Sequence, residues 1–166
     1  METLITIGEK DNSIDYVENR AVRAVVFDDI GRVALLNVKE KNYYLLPGGG
    51  IEEGETPKQA LKRETKEETG AIVTILDTIG ETVEYRNFLD PKEIKHNVCF
   101  FCAESGNRQK PKFTKKETEM CCELVWVEMN RAIELVEKSE PITKKGESAV
   151  KRDLFILKKV KSIVEG

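Results

Sequence analysis

A chain of 166 residues with a net charge of −3 has the length of one domain and can bury roughly two-thirds of the surface its unfolded form exposes. The mild acidity argues against a nonspecific nucleic-acid binder, which would show a basic face. No apolar stretch reaches the roughly 18 residues of a membrane span, and Met1-Glu2-Thr3-Leu4 lacks the basic and then apolar order of a signal peptide. The expectation is one domain over residues 1–166, in the cytoplasm, with a small-molecule partner and neither nucleic acid nor membrane.

Three readings of residues 1–20 stay open, because residues 4–7 can add an edge strand, mediate a homodimer or fray. Residues 21–28 and 32–38 read as a strand pair joined by a turn at 28–31. Residues 43–46 form a short strand that delivers Pro47 and the triple glycine Gly48, Gly49 and Gly50. Next comes Thr56-Pro57-Lys58-Gln59, which supplies a capping hydroxyl, a proline at the first helical position and a capping-box glutamine. The helix stops at Gly70. On this helix Leu61 and Thr65, with Ile72 beyond the stop, mark an apolar edge, and Lys58, Lys62, Lys66 and Thr69 face solvent.

Residues 72–76, 78–85, 96–103 and 124–127 are further strand candidates, rich in β-branched and aromatic side chains. The polar connection 104–118 has a length that often marks a lid or a disordered loop. Residues 131–138 form a short helix, and Val150, Leu154, Leu157 and Val160 recur at helical spacing, marking a C-terminal helix that covers one sheet face. Cys99 and Cys102 point to opposite faces of a strand and cannot share one tetrahedral ion. With Cys121 and Cys122 they read as reduced thiols. His96, the only histidine, is a structural or substrate-contacting residue.

The most informative feature is the placement of Glu64, Glu67 and Glu68 on one helical face. Like charges three and four apart each cost roughly 0.2–0.5 kcal/mol unless a cation lies between them. Clustered hard oxygens without His or Cys favour Mg²⁺, with Mn²⁺ as a substitute, over zinc. Such ions bridge a pyrophosphate, neutralise charge building on phosphorus and generate a nucleophile from bound water.

In register, Gly49, Glu55, Arg63, Glu64, Glu67, Glu68 and Gly70 resemble the Nudix box: glycine, five residues, glutamate, seven residues, Arg-Glu, an aliphatic, any residue, Glu-Glu, any residue, glycine, an aliphatic. Thr65 and Ala71 depart from the two aliphatic slots, which are packing positions. The resemblance implies an α/β fold, an α/β/α sandwich with a mixed β-sheet, and metal-dependent hydrolysis of a nucleoside diphosphate linked to another moiety. It implies that Glu64, Glu67 and Glu68 are metal ligands, that the Gly48 carbonyl adds a backbone ligand, and that Arg63 and Glu55 brace loop and helix. Glu64 is a candidate for both ligand and base. The base in this family also comes from a distant loop, where Glu117 and Glu119 are the candidates, with Glu119 slightly favoured as base and extra ligand. A solvated charged loop accounts for these two about equally well.

Arg23 and Arg86 are candidate substrate contacts, since guanidinium matches phosphate oxygens in bidentate fashion; surface salt bridging is the alternative. Tyr85 is a candidate stacking residue or an ordinary sheet residue. The overall expectation is a pyrophosphohydrolase acting on a nucleoside triphosphate, an ADP-ribose-like compound or a nucleotide sugar. Its rival is a non-catalytic nucleotide-sensing module.

Overall fold

Strands form where β-branched and aromatic residues concentrate, and helices where capping chemistry brackets an amphipathic run. The computed structural model describes residues 1–120 and 122–166, so Cys121 lies outside the described residues. In chain order the elements are β1 (Thr3–Ile7), β2 (Val17–Phe27), β3 (Val33–Val38), β4 (Tyr43–Leu45), β5 (Gly48–Gly50), α1 (Pro57–Thr69), β6 (Val73–Arg86), β7 (Glu93–Glu104), α2 (Lys115–Glu119), β8 (Cys122–Val127), α3 (Met129–Glu137) and α4 (Lys144–Glu165).

The strands make one eight-stranded mixed sheet in the order β1-β6-β7-β2-β3-β4, with β5 on β2 and β8 on β3. β6 and β7 pair as a long antiparallel hairpin, β7 runs parallel to β2, and β1 runs parallel to β6. Side chains alternate along each strand, which divides the core in two. Val22, Ala24, Val26 and Phe100 meet Ala60 and Leu61 of α1 on one face. Val25, Phe101, Met129, Val136, Ile156 and Leu157 join sheet, α3 and α4 on the other. The result is the α/β/α sandwich. Each fully buried Leu or Ile contributes about 1.5–3 kcal/mol.

Of the three readings of residues 4–7, the edge strand is the one found, paired with β6. Several other elements differ from expectation. The two strands expected over 72–85 are one long strand, because shifts in register near Asp77 and Gly80 absorb the break in alternation without ending the pairing. β5 was not anticipated, since three glycines carry no strand propensity; pairing with Ala21, Val22 and Arg23 makes them a strand. Segment 104–118 runs into α2, capped by Thr114, whose hydroxyl accepts from the Glu117 N–H while the Glu117 carboxylate accepts from the Thr114 N–H. Val150 and Leu154 lie at the margin of the core, and the buried face of α4 includes Arg152 and Asp153.

On α1, Thr69 is buried instead of solvated, and Ile72 is exposed because the left-handed Gly70 turns the chain before it. Thr65 fills its aliphatic slot fully buried, with its hydroxyl donating to the Leu61 carbonyl at 2.8 Å. Cys99 and Cys102 fall in the two opposite cores as free thiols, and burial pushes both up to about 12. No helix among the described residues is long and apolar enough to cross a membrane.

Candidate active site

The capping box at Thr56 and Gln59 starts α1, and Gly70, at φ 72°, ends it in the left-handed region. Between them the helix lies across the Gly48–Gly50 strand. Gly49 has no side chain for a direct reason: a Cβ there would strike the carboxylate of Glu64. Arg63 is the hub of the acidic face. Its Nε donates to Glu55 Oε2 at 2.7 Å, its Nη1 to Glu64 Oε1 at 2.8 Å, and its Nη2 to Glu55 Oε1 and to the Gly50 carbonyl, both at 2.9 Å. Glu67 Oε2 lies 3.6 Å from Nη1. One guanidinium thus ties helix, loop and strand together and offsets part of the carboxylate repulsion.

Hydrogen bonding to Arg63 holds the Glu55 carboxyl down at about 2. Burial raises Glu64 above the usual carboxylate range, an effect that Arg63 partly opposes. Glu68 is buried, accepts the Gly48 N–H at 2.8 Å, and is raised well above its ordinary value by burial first and by hydrogen bonding to Glu117 second. Glu117 is lowered: burial works against its ionisation, and the bonds from Glu68 and Thr114 outweigh it. Burial thus favours the neutral form at Glu68, and the same contact favours the charged form at Glu117.

Glu117 therefore takes the place that sequence reasoning slightly favoured for Glu119. The Glu119 side chain is 65% exposed and lies 4.0 Å from Lys115, on the outer side of α2. Residues two apart on a helix are separated by about 200°, so both cannot face Glu68. The signal was present in the sequence, because Thr114-Lys115-Lys116-Glu117 is itself a capping box.

Segment 105–114 crosses the end of α1 before it enters α2. The Gln109 N–H donates to the Gly70 carbonyl at 2.8 Å and the Lys112 N–H to the Glu67 carbonyl at 2.6 Å. A Cβ at Gly70 would collide with the Gln109 carbonyl, so Gly70 both ends the helix and admits the crossing strand of chain. Arg108 secures the near side, with its guanidinium 4.0 Å above the Trp126 ring, 2.8 Å from Glu104 and 3.8 Å from Asp28.

Whether this arrangement fits a divalent cation is decided by its donor set. Among the described residues no three acidic, histidine or cysteine side chains converge closely enough to form a ready cage. Glu64 and Glu67 lean on Arg63, while Glu68 leans on Glu117 and the Gly48 N–H. All candidate donors are nonetheless oxygens, and the Glu68–Glu117 contact requires either a proton or a cation between its two groups. In donor chemistry the residues fit a hard divalent ion.

Behind the glycine loop runs a buried polar network. Asp153 Oδ2 accepts the Leu46 N–H at 2.9 Å, and Arg23 Nη1 donates to the Leu46 carbonyl at 3.3 Å, so both polar groups of the residue before Pro47 are held. Arg152 joins Asp153 at 2.6 Å to Glu84 at 3.2 Å, and Glu84 also accepts from Asn97 at 2.8 Å and from Arg86 at 3.1 Å. Two neighbouring guanidinium groups and the Lys95 ammonium hold the Glu84 carboxyl at about 2, and burial brings Lys95 down to about 6.

The network separates the three candidate substrate contacts. Arg23 is buried beside Gly48, with Nε lacking a partner among the described residues. Arg86 shares its face, since β2, β7 and β6 bring Arg23, Cys99, Asn97, Glu84 and Arg86 to one side, but it is engaged by Glu84 and Glu93. Tyr85, adjacent on β6, points to the opposite face and meets Tyr16 edge-on at 5.4 Å. Arg86 and Tyr85 therefore do not line one cavity.

Comparison with known proteins agrees with this geometry. The family model described as NUDIX domain matches residues 17–146. The chain belongs to the NUDIX family. It is 32% identical over 90 residues to an RNA pyrophosphohydrolase of Marinomonas sp. (strain MWYL1), covering 54% of this chain and 55% of that protein. It is 37% identical over 82 residues to the putative 8-oxo-dGTP diphosphatase YtkD of Bacillus subtilis (strain 168), covering 49% and 50%. The matched segment thus spans about half the length of these curated relatives. Among solved structures, a MutT protein from Methanosarcina mazei Go1 aligns with a TM-score of 0.57 at 19% identity, covering 88% of this chain and 98% of that one. At that identity the likeness establishes the fold.

Within the NUDIX fold, sequence reasoning missed the supporting shell. Arg152 and Asp153 stand among apolar residues of α4, which was the available sign that they face inward. Glu84 carried no such sign.

Proposed function

We propose that the chain is a pyrophosphohydrolase that splits the diphosphate linkage of a nucleoside diphosphate derivative with Mg²⁺, for which Mn²⁺ can stand in. One observation carries the reading: Glu64, Glu67 and Glu68 share a helical face against Gly48–Gly50, and a fourth carboxylate, Glu117, is delivered onto Glu68. Glu64, Glu67, Glu68, Glu117 and the Gly48 carbonyl would hold the ion. When bound, it would neutralise charge on the phosphates and acidify a water. The names of the relatives, RNA pyrophosphohydrolase and 8-oxo-dGTP diphosphatase, support the same class.

The chain's own groups divide the remaining work. Arg63 fixes the orientation of Glu64 and the loop by its bonds to Glu55 and Gly50. Glu64, raised by burial and beside Gly49, is placed to accept a proton from an attacking water. Glu117 is the second base candidate and replaces Glu119 in that role. Arg23 is the substrate contact we retain, because it pairs with Gly48 in the sheet and its Nε has no partner among the described residues; Arg86 and Tyr85 serve the sheet. A cytoplasmic location is part of this reading, supported by the free thiols of Cys99 and Cys102.

The test is a panel of nucleoside triphosphates, oxidised triphosphates, ADP-ribose, dinucleoside polyphosphates and nucleotide sugars, assayed with Mg²⁺ for wild type and Glu67→Gln. Metal-dependent release of a nucleoside monophosphate, lost in the variant by about 100-fold or more, is expected. Full activity in Glu67→Gln would sink the ligand assignment. No turnover on any compound would favour the nucleotide-sensing reading.

A further inference from the structure

Beside Glu67, the crossing segment and α1 frame a recess of about 210 Å³ lined by Arg63, Lys66, Glu67, Gln109, Lys110 and Lys112. We propose that this recess binds the terminal phosphates of the substrate, so that the preferred substrate carries a di- or triphosphate tail on a nucleoside, either free or at the 5′ end of an RNA. The proposal rests on the pyrophosphohydrolase reading and narrows its substrate class.

Four observations carry it. Three lysine side chains line one recess in a chain whose net charge is −3, and among the described residues none of Lys66, Lys110 and Lys112 has a carboxylate partner. Lysines on a mobile loop are ordinarily a solvated surface, but these are fixed by main-chain bonds from Gln109 to Gly70 and from Lys112 to Glu67. Pro111 restricts the backbone between Lys110 and Lys112. Finally, the volume is below the roughly 300–1,000 Å³ of sites that enclose whole organic ligands, which suits a small anion and leaves the nucleoside outside.

The recess shares Glu67 with the acidic face, so phosphates seated there are contiguous with a linkage held at Glu64 and Glu68. A nucleotide sugar or ADP-ribose presents an uncharged sugar on the far side of its diphosphate and leaves the lysines without a partner. A triphosphate tail supplies one, since an ammonium is a strong point-charge partner for phosphate.

The first measurement is calorimetric titration of inorganic tripolyphosphate into the metal-free protein in EDTA. The Lys110→Ala/Lys112→Ala variant is expected to bind about tenfold more weakly or worse, the scale of lost charge-assisted contacts. Lys110→Arg/Lys112→Arg should retain binding, and Lys144→Ala/Lys145→Ala, which removes the same charge elsewhere, should match wild type. Equal binding by the alanine variant and wild type overturns the proposal, as does equal weakening in the Lys144/Lys145 control.

The second measurement compares kcat/KM for a nucleoside triphosphate, a 5′-triphosphorylated RNA oligonucleotide and a nucleotide sugar. The alanine variant should lose about tenfold on a triphosphate-bearing substrate and nothing on the nucleotide sugar, and the arm that falls identifies the source. Equal losses on all three overturn the recess. Absence of turnover by wild type on every compound refutes the enzymatic reading, while tripolyphosphate binding still decides the recess.

Discussion

At Gly49 the absence of a side chain makes room for the acidic face. A Cβ built there would strike the Glu64 carboxylate, so Gly49→Ala must displace that group while the surrounding backbone stays in place. A misplacement of about 1 Å costs on the order of 100-fold, and kcat/KM for Gly49→Ala should fall by that amount with an unchanged melting temperature. A parallel drop in melting temperature would mean that the glycine serves folding. At the same scale, Glu117→Gln should weaken Mg²⁺ affinity about 10- to 100-fold, read by calorimetry, and Glu119→Gln should leave it unchanged. Equal effects of the two substitutions would remove the reason for exchanging one glutamate for the other. The box residues were legible in sequence because their spacing is local to one helix. Glu117 was half legible: its capping box was present, but nothing in a short polar stretch says which carboxylate turns inward until Glu68 supplies the other half of the contact.

At the level of elements, α4 does more than cover the sheet. Its Asp153 holds the Leu46 N–H and, through Arg152, connects to Glu84 near the end of β6. Asp153→Ala leaves a buried guanidinium undercompensated and a buried amide without its acceptor. Removing one partner of a buried pair typically costs about 3–5 kcal/mol, and urea unfolding should show a loss of that order; a loss well under 1 kcal/mol would mean that the network contributes little. Element legibility follows the same division between local and distant causes. α1 was read nearly to the residue, since Thr56, Pro57, Gln59 and Gly70 act within the helix they delimit. β5 was invisible, because its pairing belongs to β2. The inward face of α4 was misjudged because its charged residues find their partners just after β4 and on β6, which no period in the helix reveals.

Across the whole molecule, one buried and one half-buried group shape the dependence of stability on pH. Glu84 is held at about 2, below its unfolded value, so its contribution is complete above the ordinary glutamate range and is lost as pH falls toward 2. Lys95 is depressed to about 6, so between pH 6 and the ordinary lysine value the unfolded chain binds the extra proton and stability rises with pH. Chemical unfolding of wild type and Lys95→Met at pH 6 and pH 9 should show wild type gaining more than the variant on going to pH 9. Parallel gains would show that Lys95 keeps its proton in the folded protein. The sequence could not supply this behaviour, since neither residue differs from a surface charge until β6, β7 and α4 close over it.

The crossing segment is fastened to α1 through main-chain groups, Gln109 to Gly70 and Lys112 to Glu67, which any residue but proline can provide at the donor positions. Attachment is therefore insensitive to side-chain identity, while the side chains at 110 and 112 line the recess beside Glu67. A library randomised at those two positions should yield folded proteins at high frequency and a spread of substrate preferences. That uncoupling makes the segment a site where specificity can drift, in evolution or by selection, without the scaffold being renegotiated.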